Sequence, residues 1–128
     1  MRICLFPGTF DPVTLGHTDI IDRALPLFDK LVIGIGRNIN KKPMFTEKQR
    51  LKWLREIYKD NPKVEALAYD GLTVDCCNQV GANFILRGIR YVNDFEYEKA
   101  IADMNRSINK KIETIFLTCL PQFTSVAS

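Results

Sequence analysis

The chain alternates short apolar segments with helical patterns five times in 128 residues. The apolar segments have the sequences RICLF, KLVIGIG, KVEALAY, ANFILRG and IETIFLTCL. Short apolar strands that lack polar alternation are typical of a parallel sheet with helices on both faces. The connections between such strands are nearly always right-handed. The sequence therefore predicts a doubly wound, Rossmann-like α/β fold built on a five-stranded parallel sheet.

Helical periodicity appears between the apolar segments. A first helix is predicted from Gly16 to Phe28, with an apolar face of Ile20, Ile21, Ala24, Leu25 and Phe28. Thr46 begins a second helix, and Gln49 completes a capping-box pattern three residues later. The apolar side of this helix comprises Leu51, Leu54, Ile57 and Tyr58. A third helix begins near Thr73. A fourth spans Asn93 to Ile108, with Tyr97, Ile101, Met104 and Ile108 at helical spacing.

Length and composition indicate one globular domain. Hydrophobic residues make up 46% of the chain and charged residues 26%, as in ordinary globular proteins. No apolar run approaches the roughly 20 residues that span a bilayer, and the start lacks the long apolar core of a signal peptide. The four cysteines, Cys4, Cys76, Cys77 and Cys119, form no C-x-x-C pair. We therefore expect buried, reduced thiols in a cytoplasmic protein with no membrane partner.

The basic residues point to small anionic ligands. The net charge of +3 does not by itself imply nucleic acid, and none is expected as a partner. Two local basic clusters comprise Arg37, Lys41, Lys42, Lys48, Arg50, Lys52 and Arg55, and then Arg87, Arg90, Arg106, Lys110 and Lys111. Most of these side chains are expected to be solvated. The others would suit a small phosphorylated ligand.

The exit of the first strand carries the most informative stretch, FPGTFDPVTLGHTDI. Ligands of doubly wound folds bind beyond the carboxyl ends of the strands. Gly8 permits close approach to the backbone, and Thr9 adds a hydroxyl. His17, the one histidine of the chain, falls in the first turn of a helix whose N-terminus favours phosphate. The alternative for His17 is a surface or capping role.

Several well-known motifs are missing. The sequence has no G-x-x-x-x-G-K-[ST] loop, and the pair Gly34 and Gly36 is not followed by a third glycine, because Ile39 occupies that position. We interpret this stretch as strand and loop. A single histidine excludes most zinc sites, and no carboxylate pair suggests glycosidase chemistry. No protein ligand to a metal is predicted.

The segment GTFDPVTLGH resembles the signature of the nucleotidylyltransferase superfamily, in which a Gly-x-Phe-Asp strand exit precedes a (His/Thr)-x-Gly-His motif. Four further segments, NKKPMFT, GLTVD, LRGIRYVNDFEYE and MNR, are together similar to the family of bacterial phosphopantetheine adenylyltransferases. The resemblance extends from Arg2 to the last residue. Its motifs fall at successive strand exits.

The resemblance implies transfer of AMP from ATP to 4′-phosphopantetheine, which gives dephospho-coenzyme A and pyrophosphate. Mg²⁺ is expected to bind mainly through the phosphates. The acceptor carries its own ionised phosphate, so the reaction needs no general base. Two alternatives stay open at this point: a related enzyme acting on nicotinamide mononucleotide or glycerol phosphate, and a nucleotide-binding module without turnover. GLTVD and FEYE argue against the first; His17, Lys41 and Arg87 argue against the second.

Roles for individual residues follow from the resemblance. His17 and Lys41 are the expected catalytic residues, and with the first helix's N-terminus they would supply positive potential. The residues expected to bind phosphopantetheine are Thr9, Lys41, Thr73 and Arg87. Those expected to bind ATP are Thr9, Phe10, His17, Gly88, Ile89, Arg90, Glu98, Phe123, Thr124, Ser125, Val126, Ala127 and Ser128. The alternatives are surface solvation for Lys41 and Arg87, and an ion pair with Lys99 or Arg106 for Glu98.

The C-terminal stretch departs from the family pattern. Members of the family have a serine-rich loop after the fifth strand, and here Ala127 occupies a position often held by serine. Backbone N–H groups can still bind ATP there. The resemblance implies that C-terminal helices are missing beyond Ser128, so that residues 1–128 form a single nucleotidylyltransferase domain. It also implies a homohexamer and inhibition by coenzyme A.

Overall fold

A computed structural model describes residues 1–38 and 40–123. Within these ranges the chain forms five strands, which are β1 (Ile3–Gly8), β2 (Lys30–Gly36), β3 (Val64–Tyr69), β4 (Phe84–Ile89) and β5 (Glu113–Thr118). The same ranges contain four α-helices, which are α1 (Leu15–Ala24), α2 (Glu47–Ile57), α3 (Thr73–Val80) and α4 (Val92–Ile108). Short 3₁₀ helices occupy Leu25–Leu27 and Pro121–Phe123.

The strands form one parallel sheet in the order β3-β2-β1-β4-β5. The chain winds outward from β1 through β2 to β3, then returns to the other side of β1 for β4 and β5. This order confirms the predicted doubly wound, Rossmann-like topology. The switch point lies between β1 and β4, where the crevice for ligands is expected. In the described part of the chain, no helix has the length and apolar character needed to cross a membrane.

Helices cover both faces of the sheet, as predicted. One core cluster joins α1, α2 and the residues that follow each of them to one face of the sheet, through Ile20, Ile21, Ala24, Phe28, Leu54 and Tyr58. A second cluster joins α3 to the other face through Val74, Cys76 and Cys77. Helix α4 lies beside α3, and its Phe95 packs edge-on against Phe116 of β5 with the ring centroids 5.7 Å apart. Apolar burial against a central sheet thus stabilises both layers.

The predicted end of the first helix needs a correction. The first α-helix ends at Ala24, and the chain continues as a 3₁₀ turn to Leu27 rather than as an α-helix to Phe28. Pro26 explains the change, because its ring disrupts the hydrogen bonding of an α-helix. In contrast, the capping box of Thr46 and Gln49 at the start of α2 is confirmed.

The apolar spacing noted in α4 does not mark a buried face. Tyr97 is 68% exposed, Met104 62% and Ile108 50%, whereas Glu98 is buried. Helix α4 instead directs Glu98 toward an arginine on β4, as described below. In α2, Ile57 of the predicted apolar side is likewise half exposed.

The cysteines are free thiols, in agreement with the prediction. Cys4, Cys76 and Cys77 are buried, and Cys119 is partly buried. Burial raises the pKa of the Cys4 and Cys77 thiols to about 12. Both therefore stay protonated at neutral pH, which makes them poor nucleophiles.

Candidate active site

A cavity of about 730 Å³ opens at the carboxyl ends of the strands. Its walls come from the ends of all five strands and the segments after them, the start of α1 and the middle of α4. The volume is in the range of sites that bind small molecules. This is the location that the doubly wound topology predicts.

Most of the predicted site residues in the described part of the chain meet in this cavity. Those that line it are Thr9, Phe10, His17, Thr73, Arg87, Gly88, Arg90, Glu98 and Phe123. Two others do not line it: Lys41 is exposed on the connection between β2 and α2, and Ile89 is at the end of β4. Thr124, Ser125, Val126, Ala127 and Ser128 lie outside the described residues. The ligand contacts assigned to all these residues stay predictions.

His17 is held in one orientation by the start of α1. Thr14 is the N-cap residue and forms a capping box with His17. The Thr14 main-chain N–H donates to Nδ1 of His17 over 2.9 Å, and the Thr14 hydroxyl lies 3.1 Å from the same nitrogen. Because Nδ1 accepts a main-chain N–H, the ring proton must be on Nε2. The cap leaves Nε2–H as a donor, so the observed capping role is compatible with the predicted catalytic one, which stays a prediction.

The ring of His17 is neutral at physiological pH. Burial, followed by the nearby charge of Arg87, lowers the pKa of His17 to about 4. The ring is 5% exposed and packs against Phe10, with the ring centroids 4.7 Å apart. The expectation that His17 supplies positive potential is therefore wrong for the unliganded protein. A neutral Nε2–H group can donate a hydrogen bond to a phosphate oxygen without being a cation.

The lowered pKa predicts that stability depends on pH. Between pH 6.5 and about 4 the unfolded chain binds a proton at His17 and the folded chain does not. Acidification through this window therefore destabilises the fold, by about 2 kcal/mol between pH 7 and pH 5. Urea unfolding at the two pH values would measure the difference. His17→Gln should remove most of it, since no other histidine titrates in this window; an equal loss in this variant would contradict the assignment.

Phe10, in the loop after β1, packs its ring against the ring of His17. Its backbone is left-handed, with φ of 48°, and the residue is fully buried. A Cβ atom at Gly8 would lie 3.0 Å from the Phe10 ring, so glycine at position 8 makes room for this ring. Gly8 also lines the cavity, so the close approach of a ligand to its backbone stays a prediction.

Arg87 on β4 and Glu98 on α4 form a two-bond ion pair at the switch point. Nε of Arg87 donates to Oε2 of Glu98 over 2.8 Å, and Nη2 donates to Oε1 over 2.7 Å. Nη1 also donates to the Pro7 carbonyl over 2.6 Å. Of the five guanidinium N–H groups, three are used here, which leaves two for a ligand. Arg87 is thus positioned by the fold, unlike the solvated surface arginine considered as an alternative.

Glu98 is in an ion pair, but its partner differs from the ones considered. Lys99 pairs with Asp103, and Arg106 pairs with Glu113. Glu98 is buried and holds Arg87 instead. Its predicted contact with ATP would therefore add to a structural role that is already present.

Thr73 begins α3 and is oriented by the end of β3. Its Oγ1 lies 3.0 Å from the Tyr69 hydroxyl. The Tyr69 ring crosses β2 where that strand has glycine, and a Cβ atom at Gly34 would lie 3.0 Å from Tyr69 and 2.9 Å from Leu5. The Gly34–Gly36 pair belongs to β2, which confirms its interpretation as strand rather than dinucleotide loop.

Some cavity residues were not predicted. Asn38 and Tyr69 follow or end their strands, and the rule that strand exits carry the site could have found them. Ile101, Ala102 and Asn105 on α4 also line the cavity. No local pattern identifies these three, because only the docking of α4 brings them to the site.

The described side chains include no group of three or more histidine, cysteine or carboxylate residues placed to hold a metal ion. Two carboxylates do line the cavity, Asp70 and Glu98. Asp70 accepts a bond from Arg37 over 2.8 Å, and Glu98 is committed to Arg87. Both of these carboxylates are therefore already paired with arginines.

Comparison with known proteins agrees with this description. Residues 5–125 match the model of the cytidylyltransferase-like family. A phosphopantetheine adenylyltransferase of Flavobacterium psychrophilum is 52% identical over 128 residues, which are all of this chain and 84% of that protein. One of Bacteroides thetaiotaomicron is 51% identical, with the same coverage. In fold, the chain is similar to a putative nicotinate-nucleotide adenylyltransferase from Vibrio parahaemolyticus, with a TM-score of 0.65, 20% identity and coverage of 92% of this chain and 74% of that one.

Proposed function

Because the chain belongs to the phosphopantetheine adenylyltransferase family, we propose that it transfers AMP from ATP to 4′-phosphopantetheine, forming dephospho-coenzyme A and pyrophosphate. The observation that carries the proposal is 52% identity along the whole chain to a protein of that name. The cavity adds physical support. It combines a helix N-terminus, a neutral imidazole donor and a fixed guanidinium at the switch point.

The acceptor phosphate is the nucleophile. A phosphate monoester has a second pKa of about 6, so it is mostly ionised at pH 7 without help from a base. Its oxygen forms a bond to the α-phosphorus of ATP, while the bond from that phosphorus to the bridging oxygen of pyrophosphate breaks. Catalysis then depends on alignment of two anions and on stabilisation of the charge that develops on the equatorial oxygens.

His17 is assigned to that developing charge. Its Nε2–H would donate to a non-bridging oxygen of the α-phosphate, since Nδ1 is already occupied by Thr14. The free N–H groups at the start of α1 add a favourable potential at the same place. Both groups are in position before substrate binds, so no reorganisation is needed as the charge forms.

Arg87, Thr9, Thr73 and Lys41 are assigned to phosphopantetheine. Two free N–H groups of Arg87 suit its phosphate. The ATP side of the site is assigned to Phe10, Gly88, Ile89, Arg90, Glu98 and residues 123–128. Mg²⁺ is assigned to the substrate MgATP, where it would bridge phosphate oxygens.

Three further properties are proposed with this function. Free, buried thiols support a cytoplasmic location. Exposed apolar side chains on α4, such as Tyr97 and Met104, support a homohexamer, because a subunit contact would bury them. Inhibition by coenzyme A is proposed because coenzyme A resembles the product, dephospho-coenzyme A. In this proposal the product occupies the cavity, and coenzyme A would compete for the same place.

The acceptor assignment predicts a specific outcome. Pyrophosphate should be released from MgATP with 4′-phosphopantetheine, and not with nicotinamide mononucleotide or glycerol phosphate. Excess EDTA should abolish release, because ATP then lacks the ion that neutralises the leaving pyrophosphate. Pyrophosphate release coupled to a colour reaction measures both. Release with nicotinamide mononucleotide but not with 4′-phosphopantetheine would assign the chain to a related enzyme. Absence of release with every acceptor tested would favour a binding module.

A further inference from the structure

We propose that Asp11 and Arg50 are positioning residues, which fix the Lys41 segment (residues 40–45) against the loop that carries Thr9 and Phe10. The proposal rests on the proposed function in one respect, which is the assignment of Lys41 to phosphopantetheine. Neither residue was predicted to belong to the site, and neither lines the cavity. Their hydrogen bonds nevertheless connect the two loops on which catalysis is proposed to depend.

Asp11 uses both oxygens of its carboxylate on the Lys41 segment. The main-chain N–H of Met44 donates to Oδ2 over 2.5 Å, and that of Phe45 donates to Oδ1 over 2.8 Å. Hydrogen bonds with an ionised acceptor are about twice as strong as neutral ones. Asp11 directly follows Phe10, whose ring packs against His17. The carboxylate therefore connects the loop beneath His17 to the segment that carries Lys41.

Arg50 forms a second connection from helix α2. It is 8% exposed, and its Nη1 donates to the Thr9 carbonyl over 2.9 Å while its Nε donates to the Phe45 carbonyl over 3.1 Å. Buried arginines usually pair with a carboxylate. Within the described residues, Arg50 has no ion-pair partner and bonds to these two carbonyls instead. Both sides of the main chain at Phe45 are thus held, the N–H by Asp11 and the carbonyl by Arg50.

These bonds restrict where Lys41 can be. Met44 is three residues after Lys41, and three residues of chain extend at most about 10–11 Å. The start of the same connection is held by Arg37, which bonds to Glu47 over 2.5 Å and to Asp70 over 2.8 Å. Lys41 itself is exposed, and its N–H donates to the Asn38 carbonyl. The Lys41 side chain can therefore reach a ligand. The main chain that carries it is kept beside Thr9 by Asp11 and Arg50.

The first test measures the segment without any substrate. Trypsin cleaves after Lys41 but cuts poorly after Lys42, because Pro43 follows it. In Asp11→Asn, one of the two carboxylate bonds is lost, and local opening should become more frequent. We expect cleavage after Lys41, identified by mass spectrometry, to be about tenfold faster than in the unchanged protein. Asp22→Asn is the matched control, since it weakens a bond to Tyr58, which directly follows α2 and lies away from the site. Equal rates in the two variants would overturn the proposal.

The second test asks whether Asp11 acts through Lys41. Asp11→Asn should lower kcat/KM for phosphopantetheine about tenfold when Lys41 is present, and less than about twofold in a Lys41→Ala background. Arg50→Lys should show the same dependence on Lys41, because a single ammonium cannot bridge both carbonyls with the geometry of a guanidinium. Equal losses in both backgrounds would show a general structural effect and overturn the proposal. If the unchanged protein does not use phosphopantetheine, the proposed function fails, while the proteolysis comparison still decides the role of Asp11.

Discussion

Replacing His17 with alanine should lower the turnover number of adenylyl transfer by about 10²- to 10³-fold, with ATP affinity changed by less than about threefold. Removal of one preorganised donor to a developing oxyanion has an effect of this size. The bond from Nε2–H should be strongest in the transition state, and such selective binding raises turnover rather than ground-state affinity. Single-turnover kinetics beside calorimetry of ATP binding would separate the two quantities.

Helix α1 should survive this substitution, although with lower stability. His17 belongs to the capping box of Thr14, and loss of such a cap costs about 0.5–2 kcal/mol. The apolar face formed by Ile20, Ile21 and Ala24 is untouched. Thr18→Ala is a suitable control on the same helix turn, because the Thr18 hydroxyl bonds only locally, to the Leu15 carbonyl. Near-normal turnover of His17→Ala would show that the histidine is a capping residue alone.

Arg87→Ala should have the second large effect, on both substrate use and stability. We expect the KM for phosphopantetheine to rise by about 30- to 1000-fold, the cost of deleting one partner of a close charge pair. The free energy of unfolding should fall by about 2–3 kcal/mol, because Glu98 is left buried without its partner. Breaking a fully buried ion pair usually costs more than this. The lower value is expected here because the Arg87 side chain is 31% exposed, and water partly screens the pair. Steady-state kinetics and urea unfolding measure the two effects.

A second substitution separates these two effects of Arg87. In the double variant Arg87→Ala, Glu98→Gln, no buried charge is left unpaired, so most of the lost stability should return. Use of phosphopantetheine should stay poor, because the guanidinium that contacts its phosphate is still absent. If the second change also restores KM, Arg87 acts only by neutralising Glu98, and its assignment to the acceptor phosphate is wrong.

The sequence by itself determined the architecture and the location of the site. Five apolar strands alternate with helices, and burial of both sheet faces leaves few topologies for such a pattern. The capping box of Thr46 and Gln49 was equally predictable, because it depends on residues three positions apart. The site followed from one general rule, that ligands bind where parallel strands end. His17 was found in this way, whereas Thr73 and Arg87 were assigned from the family resemblance; all three line the cavity.

Only the tertiary structure decided the protonation state of His17 and the hydrogen-bond partners that hold the site residues in place. The pKa of His17 is low because packing buries its ring, which no local pattern reveals. Arg87 is held by a carbonyl 80 positions away in the chain, and Asp11 bonds to residues 33 and 34 positions away. Helix α4 leaves Tyr97 and Met104 of its apolar spacing exposed, whereas its Glu98 is buried and paired with Arg87 on β4. Local patterns depend on neighbours within a turn or two, whereas burial and long-range hydrogen bonds exist only once the sheet has assembled.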